Sequence, residues 1–251
     1  MVSWLKRLVM SAFCLLLPHT RPESKGRAVT AREILGLDAL VLLKERSFLV
    51  FIVGSILACI PLTFYFSFTN AFLNEAGVVN AAGKMTLGQL SEVGVMVLMP
   101  WVFRRIGVKG ILLLGLGAWS IRYAAFAYGN ASDRMWMFYL AILVHGVCYD
   151  FFFMTGQLYT DQEAPAHLRS TAQGFYMFVT YGLGMLVGSL LSGGALDYFT
   201  TGTRNWTAFW MSSSVAAFAL FLVFALFFRG GGMIRNRVPD PQSEKMLVDR
   251  E

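Results

Sequence analysis

The sequence predicts an all-α membrane protein with six transmembrane helices, on three observations: sparse charge, six apolar stretches of spanning length, and an uneven placement of Lys and Arg between them. Charged residues are 14% of the 251 positions, against about 25% in soluble proteins. Hydrophobic residues reach 56%, Phe alone fills 22 positions, and the mean hydropathy is +0.57. These values argue against a soluble globule. The net charge of +6 would suit nucleic acid if the basic residues clustered on one folded domain. They lie between apolar runs instead, where membrane topology accounts for them. Cys14, Cys59 and Cys148 have neither metal-ligand spacing nor the even count of a disulfide framework, and read as small apolar fillers.

A bilayer core of about 30 Å needs about 20 apolar residues in helix. Six stretches qualify: roughly 48–70, 85–103, 111–128, 135–158, 172–196 and 207–228, with Glu92, Arg122 and Asp150 the only charged residues inside them. Gly107 before Lys109, Gly129-Asn130 and Pro165 punctuate the connections. The alternating polarity of a transmembrane barrel is absent, so backbone groups must be satisfied within helices.

Basic residues are retained on the cytoplasmic side, which orients the bundle. Arg21, Lys25, Arg27, Arg32, Lys44 and Arg46 precede the first span; Arg104, Arg105 and Lys109 join the second to the third; Arg169 joins the fourth to the fifth; Arg229, Arg235, Arg237, Lys245 and Arg250 follow the sixth. The opposite side holds Lys84, Arg134 and Arg204. A multi-pass protein of an inner or plasma membrane is expected, with a cytoplasmic C-terminus. Lys6-Arg7 and the apolar run Leu8 to Leu17 resemble a signal peptide, but no small-x-small site follows. Residues 1–17 are therefore expected to be the end of a preceding transmembrane helix. Residues 18–47 form a basic cytoplasmic loop between two halves, 48–228 the bundle, and 229–251 a cytoplasmic tail.

Four segments taken in order carry a family resemblance. They are Thr86-Leu87-Gly88-Gln89-Leu90-Ser91-Glu92, Arg104-Arg105-Ile106-Gly107-Val108-Lys109, His145-Gly146-Val147-Cys148-Tyr149-Asp150-Phe151-Phe152, and Arg169-Ser170-Thr171-Ala172-Gln173-Gly174. Over about residues 8 to 230 the chain resembles the C-terminal half of the nucleoside:proton symporters of the major facilitator superfamily. The resemblance implies a six-helix half of a major facilitator-type bundle. Two such halves enclose a midplane site that opens alternately to either side. It also implies that an N-terminal six-helix half, or a second copy of this one, is needed for transport, with a nucleoside and a proton as the transported partners.

Gln89 and Glu92, three residues apart, share one face of the second span. A carboxylate in hydrocarbon costs about 3 kcal/mol even by the lower scales, so Glu92 should face a cavity or a partner. A clamp to Arg122 is the structural alternative. Gln89 adds a neutral donor and acceptor suited to ribose hydroxyls or base edges. His145 and Tyr149 stack on one face of the fourth span, where ring planes suit a nucleobase. Ser67 and Asn70 form another i, i+3 pair near the outer end of the first. The resemblance puts substrate contacts at all six, with His145 standing where other members carry Tyr.

Asp150 and Glu92 are the acidic candidates for proton coupling. At 100° per residue Asp150 is turned about 140° from the His145 face, toward a neighbouring helix; a fixed salt bridge there is the alternative. Arg122 is expected to snorkel toward the outer surface, and Arg169 and Gln173 to act at a helix end. Gly184 and Gly188 have small-xxx-small spacing for close helix approach. His145 and Cys148 lack further ligands for zinc, and nothing implies a metal or organic cofactor. Two other readings are a membrane-embedded enzyme using His145, Asp150 and Glu92, and a six-helix protein that transports nothing. The enzyme lacks a Gly-x-Ser-x-Gly or His-Glu-x-x-His element.

Overall fold

The computed structural model describes residues 2–17, 30 and 36–230. Most of the expected inter-half loop and nearly all of the tail lie outside these residues. A first unit, residues 1–31, contains helix α1 (Val2–Leu15), whose Leu8 and Leu15 side chains are exposed. The second unit carries the apolar helices: α2 (Arg46–Glu75), α3 (Ala81–Tyr128), α4 (Met135–Glu163), α5 (Ala166–Tyr198) and α6 (Trp206–Phe227). These five are long and apolar enough to cross a membrane, which makes the chain a multi-pass all-α membrane protein.

The expected spans at 48–70, 135–158, 172–196 and 207–228 fall inside α2, α4, α5 and α6. Those at 85–103 and 111–128 differ, because both lie in the single 48-residue run of α3. That run breaks at Gly107, where φ is 64° and ψ is −178°, a combination open to glycine and costly for other residues. Ser91 bonds Gly146 at 2.9 Å and Arg122 bonds His145 at 2.8 Å. In a straight helix Ser91 and Arg122 would stand about 46 Å apart. Their meeting at one point on α4 requires the chain to double back at Gly107.

The returning part of α3 runs antiparallel to α6. Lys109 Nζ donates to the Ala225 carbonyl at 2.9 Å, Ser214 Oγ to the Ser120 carbonyl at 2.8 Å, and Thr207 Oγ1 to the Ala127 carbonyl at 3.2 Å. Asn80 starts α3 by accepting from the Gly83 amide at 3.2 Å, and Asn205 starts α6 by accepting from Ala208 at 3.0 Å, each satisfying an orphan N–H of the first turn. Thr200–Thr201 (β1) and Thr203–Arg204 (β2) pair between α5 and α6.

In lipid, helix association relies on close packing and hydrogen bonds, not on exclusion of water. Two zones supply these. Tyr123 stacks on Trp210 with centroids 5.8 Å apart, and its hydroxyl donates to the Pro61 carbonyl at 2.5 Å. On the other side, a Cβ added to Gly184 would lie 2.9 Å from Cys59 Sγ, and one on Gly188 2.9 Å from the Cys59 carbonyl oxygen. The Gly184–Gly188 spacing thus sets the approach of α5 to α2, as the sequence predicts.

Candidate functional site

The site begins with the contact between α3 and α4. Ser91 Oγ accepts from the Gly146 amide at 2.9 Å and donates to the Gly88 carbonyl at 2.7 Å. A Cβ on Gly146 would lie 2.7 Å from both the Ser91 carbonyl oxygen and the Glu92 nitrogen. Glycine at 146 therefore allows the two backbones to meet, and Glu92 arrives beside His145. His145 Nε2 is 2.7 Å from Glu92 Oε1.

Arg122 enters from the returning part of α3. Its Nη1 lies 2.8 Å from His145 Nδ1, and its Cζ sits 3.5 Å from the centroid of the Tyr65 ring. A desolvated cation–π contact is worth about 2 kcal/mol. Arg122 is 0% exposed, which corrects the expectation that it snorkels outward. The physical reason is local: the imidazole lone pair and the Tyr65 face offer the guanidinium an inward solvation that competes with the headgroups. A clamp between Glu92 and Arg122 does exist in form, but it runs through His145.

The His145 ring lies between Tyr65, at 5.0 Å and 30°, and Tyr149, at 5.8 Å and 28°, with the Phe66 edge at 6.4 Å. With both nitrogens engaged and the ring buried, His145 forms the floor of the site. Tyr149 is half-buried above it, and its hydroxyl lies 2.5 Å from that of Tyr181.

Nothing in the sequence marks Tyr181. It belongs to a π-helical segment of α5, Phe178–Gly184, and faces a second π-helical segment of α4, Asp150–Met154. Such bulges shift the facing of every residue beyond them and often mark functional sites. No residue pattern in the sequence announces the extra residue per turn, and the glycines at 182 and 184 were the nearest hint.

Asp150 opens the α4 bulge. It is 2% exposed, its Oδ2 has no hydrogen-bond partner, and it is within electrostatic range of Glu92. Among the described residues it makes no ion pair. Gln89 lies exposed one turn before Glu92, while Ser67 and Asn70 are exposed on α2 beside Phe66. The structure thus brings together Glu92, His145 and Tyr149, adds Arg122, Tyr65 and Tyr181, and leaves Gln89, Ser67 and Asn70 on open faces without a hydrogen bond to that cluster among the described residues. Asn70 instead accepts from Asn74 Nδ2, through its carbonyl at 2.7 Å and its Oδ1 at 3.2 Å. Gln173 Nε2 donates to the Gln157 carbonyl at 2.6 Å, tying the start of α5 to α4.

The cluster is a buried cation, a hydrogen-bonded imidazole and a carboxylate 27% exposed, with aromatic planes on either side. It can accept hydrogen bonds and stack a flat ring. Known proteins are similar to this chain in sequence and fold. It is 40% identical to the protein YegT of Escherichia coli over 88% of this chain and 54% of that one, and 32% identical to the xanthosine permease of Escherichia coli over 88% and 55%. A crystal structure of the nucleoside transporter NupG superposes with a TM-score of 0.73 at 27% identity, covering 89% of this chain and 58% of that one. The chain therefore spans about half the length of the curated relatives it matches. The family model described as "Nucleoside H+ symporter" matches residues 1–232, and the chain belongs to that family of transporters.

Proposed function

We propose that this chain supplies one half of a proton-coupled nucleoside transporter that works by alternating access, with Glu92, presented by His145 on an open face of the bundle, as the observation that carries the reading. Glu92 and Gln89 accept and donate hydrogen bonds to the ribose or base, Tyr149 stacks the base above the His145 floor, and Asn70 and Ser67 contact it from α2. Asp150 and Glu92 carry the coupled proton. Family membership favours transport over an intramembrane enzyme or a silent bundle. The names of the relatives, a xanthosine permease and the nucleoside permease NupG, support nucleosides as the substrate class.

Six crossings follow from counting α3 as two spans meeting at Gly107. The basic residues then put residues 18–47 and 229–251 in the cytoplasm. Cysteine scanning should label position 134 rapidly from outside intact cells and leave position 237 unlabelled; the reverse pattern would refute this topology. A midplane cavity needs both walls, so an N-terminal six-helix half, or a second copy, completes the site. Radiolabelled uridine uptake tests this in proteoliposomes holding the chain alone or with the N-terminal half of a full-length relative. Proton-driven accumulation is expected in the paired assembly. Its absence there, with both halves inserted and associated, counts against the reading.

A further inference from the structure

We propose that Arg122 is a positioning residue of this site: by donating to Nδ1 of His145 it holds the imidazole as the neutral ring with hydrogen on Nε2, and that ring in turn orients the Glu92 carboxylate toward the open face. The inference rests on the reading of Glu92 as a substrate contact. Its chemistry follows from the order of donors and acceptors. A guanidinium is always charged and offers only donors, so the 2.8 Å contact of Nη1 makes Nδ1 the acceptor. A neutral imidazole has one N–H, which then sits on Nε2 and points at Glu92 Oε1, 2.7 Å away. A second proton on the ring would set an N–H against the Arg122 donor.

The surroundings agree. From α2 the Tyr65 ring faces both the guanidinium and the imidazole; from α3 come Glu92 and Arg122; from α4 come the Cys148 thiol, Tyr149 and Asp150; from α5 Tyr181 reaches Tyr149. Arg122 and Glu92 balance one another across a neutral ring. Asp150, with Oδ2 unpartnered, stands outside this chain of hydrogen bonds. Arg122 Nε and Nη2 are also buried without a hydrogen-bond partner.

The test uses the purified chain in lipid nanodiscs with nitrogen-15 histidine, followed by magnetic resonance from pH 5 to 8. The sequence has three histidines, and the signals lost in His145→Gln identify the relevant one. The wild-type ring is expected to stay neutral with hydrogen on Nε2 across this range. Arg122→Met should become doubly protonated by pH 5, because the donor at Nδ1 is gone and Glu92 remains. Arg122→Lys should restore the wild-type signature, and Glu92→Gln should leave the tautomer unchanged. Hydrogen on Nδ1 or a charged ring in the wild type overturns the proposal, as does an unchanged ring in Arg122→Met or a tautomer that follows Glu92→Gln. If Arg122→Met does not fold, the wild-type and Glu92→Gln spectra still decide. Uridine binding by the paired assembly separates the two readings: Arg122→Met should bind about tenfold more weakly. Wild type that fails to bind defeats the transport reading while the tautomer result stands, and equal binding by both defeats the orienting role.

Discussion

The hydroxyls of Tyr149 and Tyr181 lie 2.5 Å apart, joining α4 and α5 at the two places where each helix widens into a π-helical segment. Tyr149 sits directly before one bulge and Tyr181 within the other. The pair is thus a cross-link between the helix that carries the floor of the site and the helix that packs on α2 through Gly184 and Gly188.

Removing this bond should be felt at the site. One neutral hydrogen bond is worth about 1 kcal/mol, or about fivefold in affinity. Tyr181→Phe is expected to weaken uridine binding by about that factor in the paired assembly, measured by equilibrium dialysis at matched expression. Tyr149→Ala, which also removes a stacking plane, should cost about ten- to a hundredfold. Unaltered affinity in both variants would take the tyrosine pair out of the site.

The two carboxyl groups should separate by role. Asp150 is buried with a free acceptor oxygen, whereas Glu92 is part-exposed and bonded to His145. Asp150→Asn is expected to abolish accumulation driven by a proton gradient while uridine binding remains measurable. Glu92→Gln should impair both. Full gradient-driven uptake by Asp150→Asn would exclude Asp150 as an obligatory proton carrier.

Close packing at Gly146 predicts a stability effect with an internal control. A methyl group there meets the Ser91 oxygen and the Glu92 nitrogen, both at 2.7 Å, while one on Gly174 meets nothing within 4 Å. Gly146→Ala should cost about 1 to 3 kcal/mol through overpacking, and Gly174→Ala should be neutral or slightly stabilising. Thermal unfolding of the purified chain in detergent, compared across the three proteins, reads the difference.

A pH effect is expected in the loop between α3 and α4. The Ser132 hydroxyl donates to Asp133 at 2.9 Å and Asn130 adds a further bond, holding the Asp133 carboxyl below its ordinary 3.8. A carboxyl lowered on folding contributes stability that is present above the unfolded value and lost as pH falls through the folded one. Proteolytic cleavage within residues 129–134 should therefore rise below about pH 4 in the wild type. Asp133→Asn should flatten that dependence; an identical profile in the variant would show that the carboxyl has no part in ordering the loop.

Hydrophobic run length, the charge gap between spans and the i, i+3 pairing of Gln89 with Glu92 are properties of neighbouring residues, so an all-α membrane chain and the places of its apolar helices are legible in the sequence. It also singles out Glu92, Asp150 and His145, because a carboxylate or imidazole inside an apolar run is costly enough to be conspicuous without coordinates, and with them Gln89, Tyr149, Ser67 and Asn70. The destination of Arg122 was beyond it. That side chain turns inward because α3 doubles back at Gly107 and because Gly146 admits Ser91, which together put the His145 lone pair and the Tyr65 face within its reach. The role of Tyr181 likewise depends on bulges that add a residue to a helical turn without a compositional mark. A local pattern records what a residue costs to bury, and only the packed helices decide which partner, 23 or 32 positions away, meets that cost.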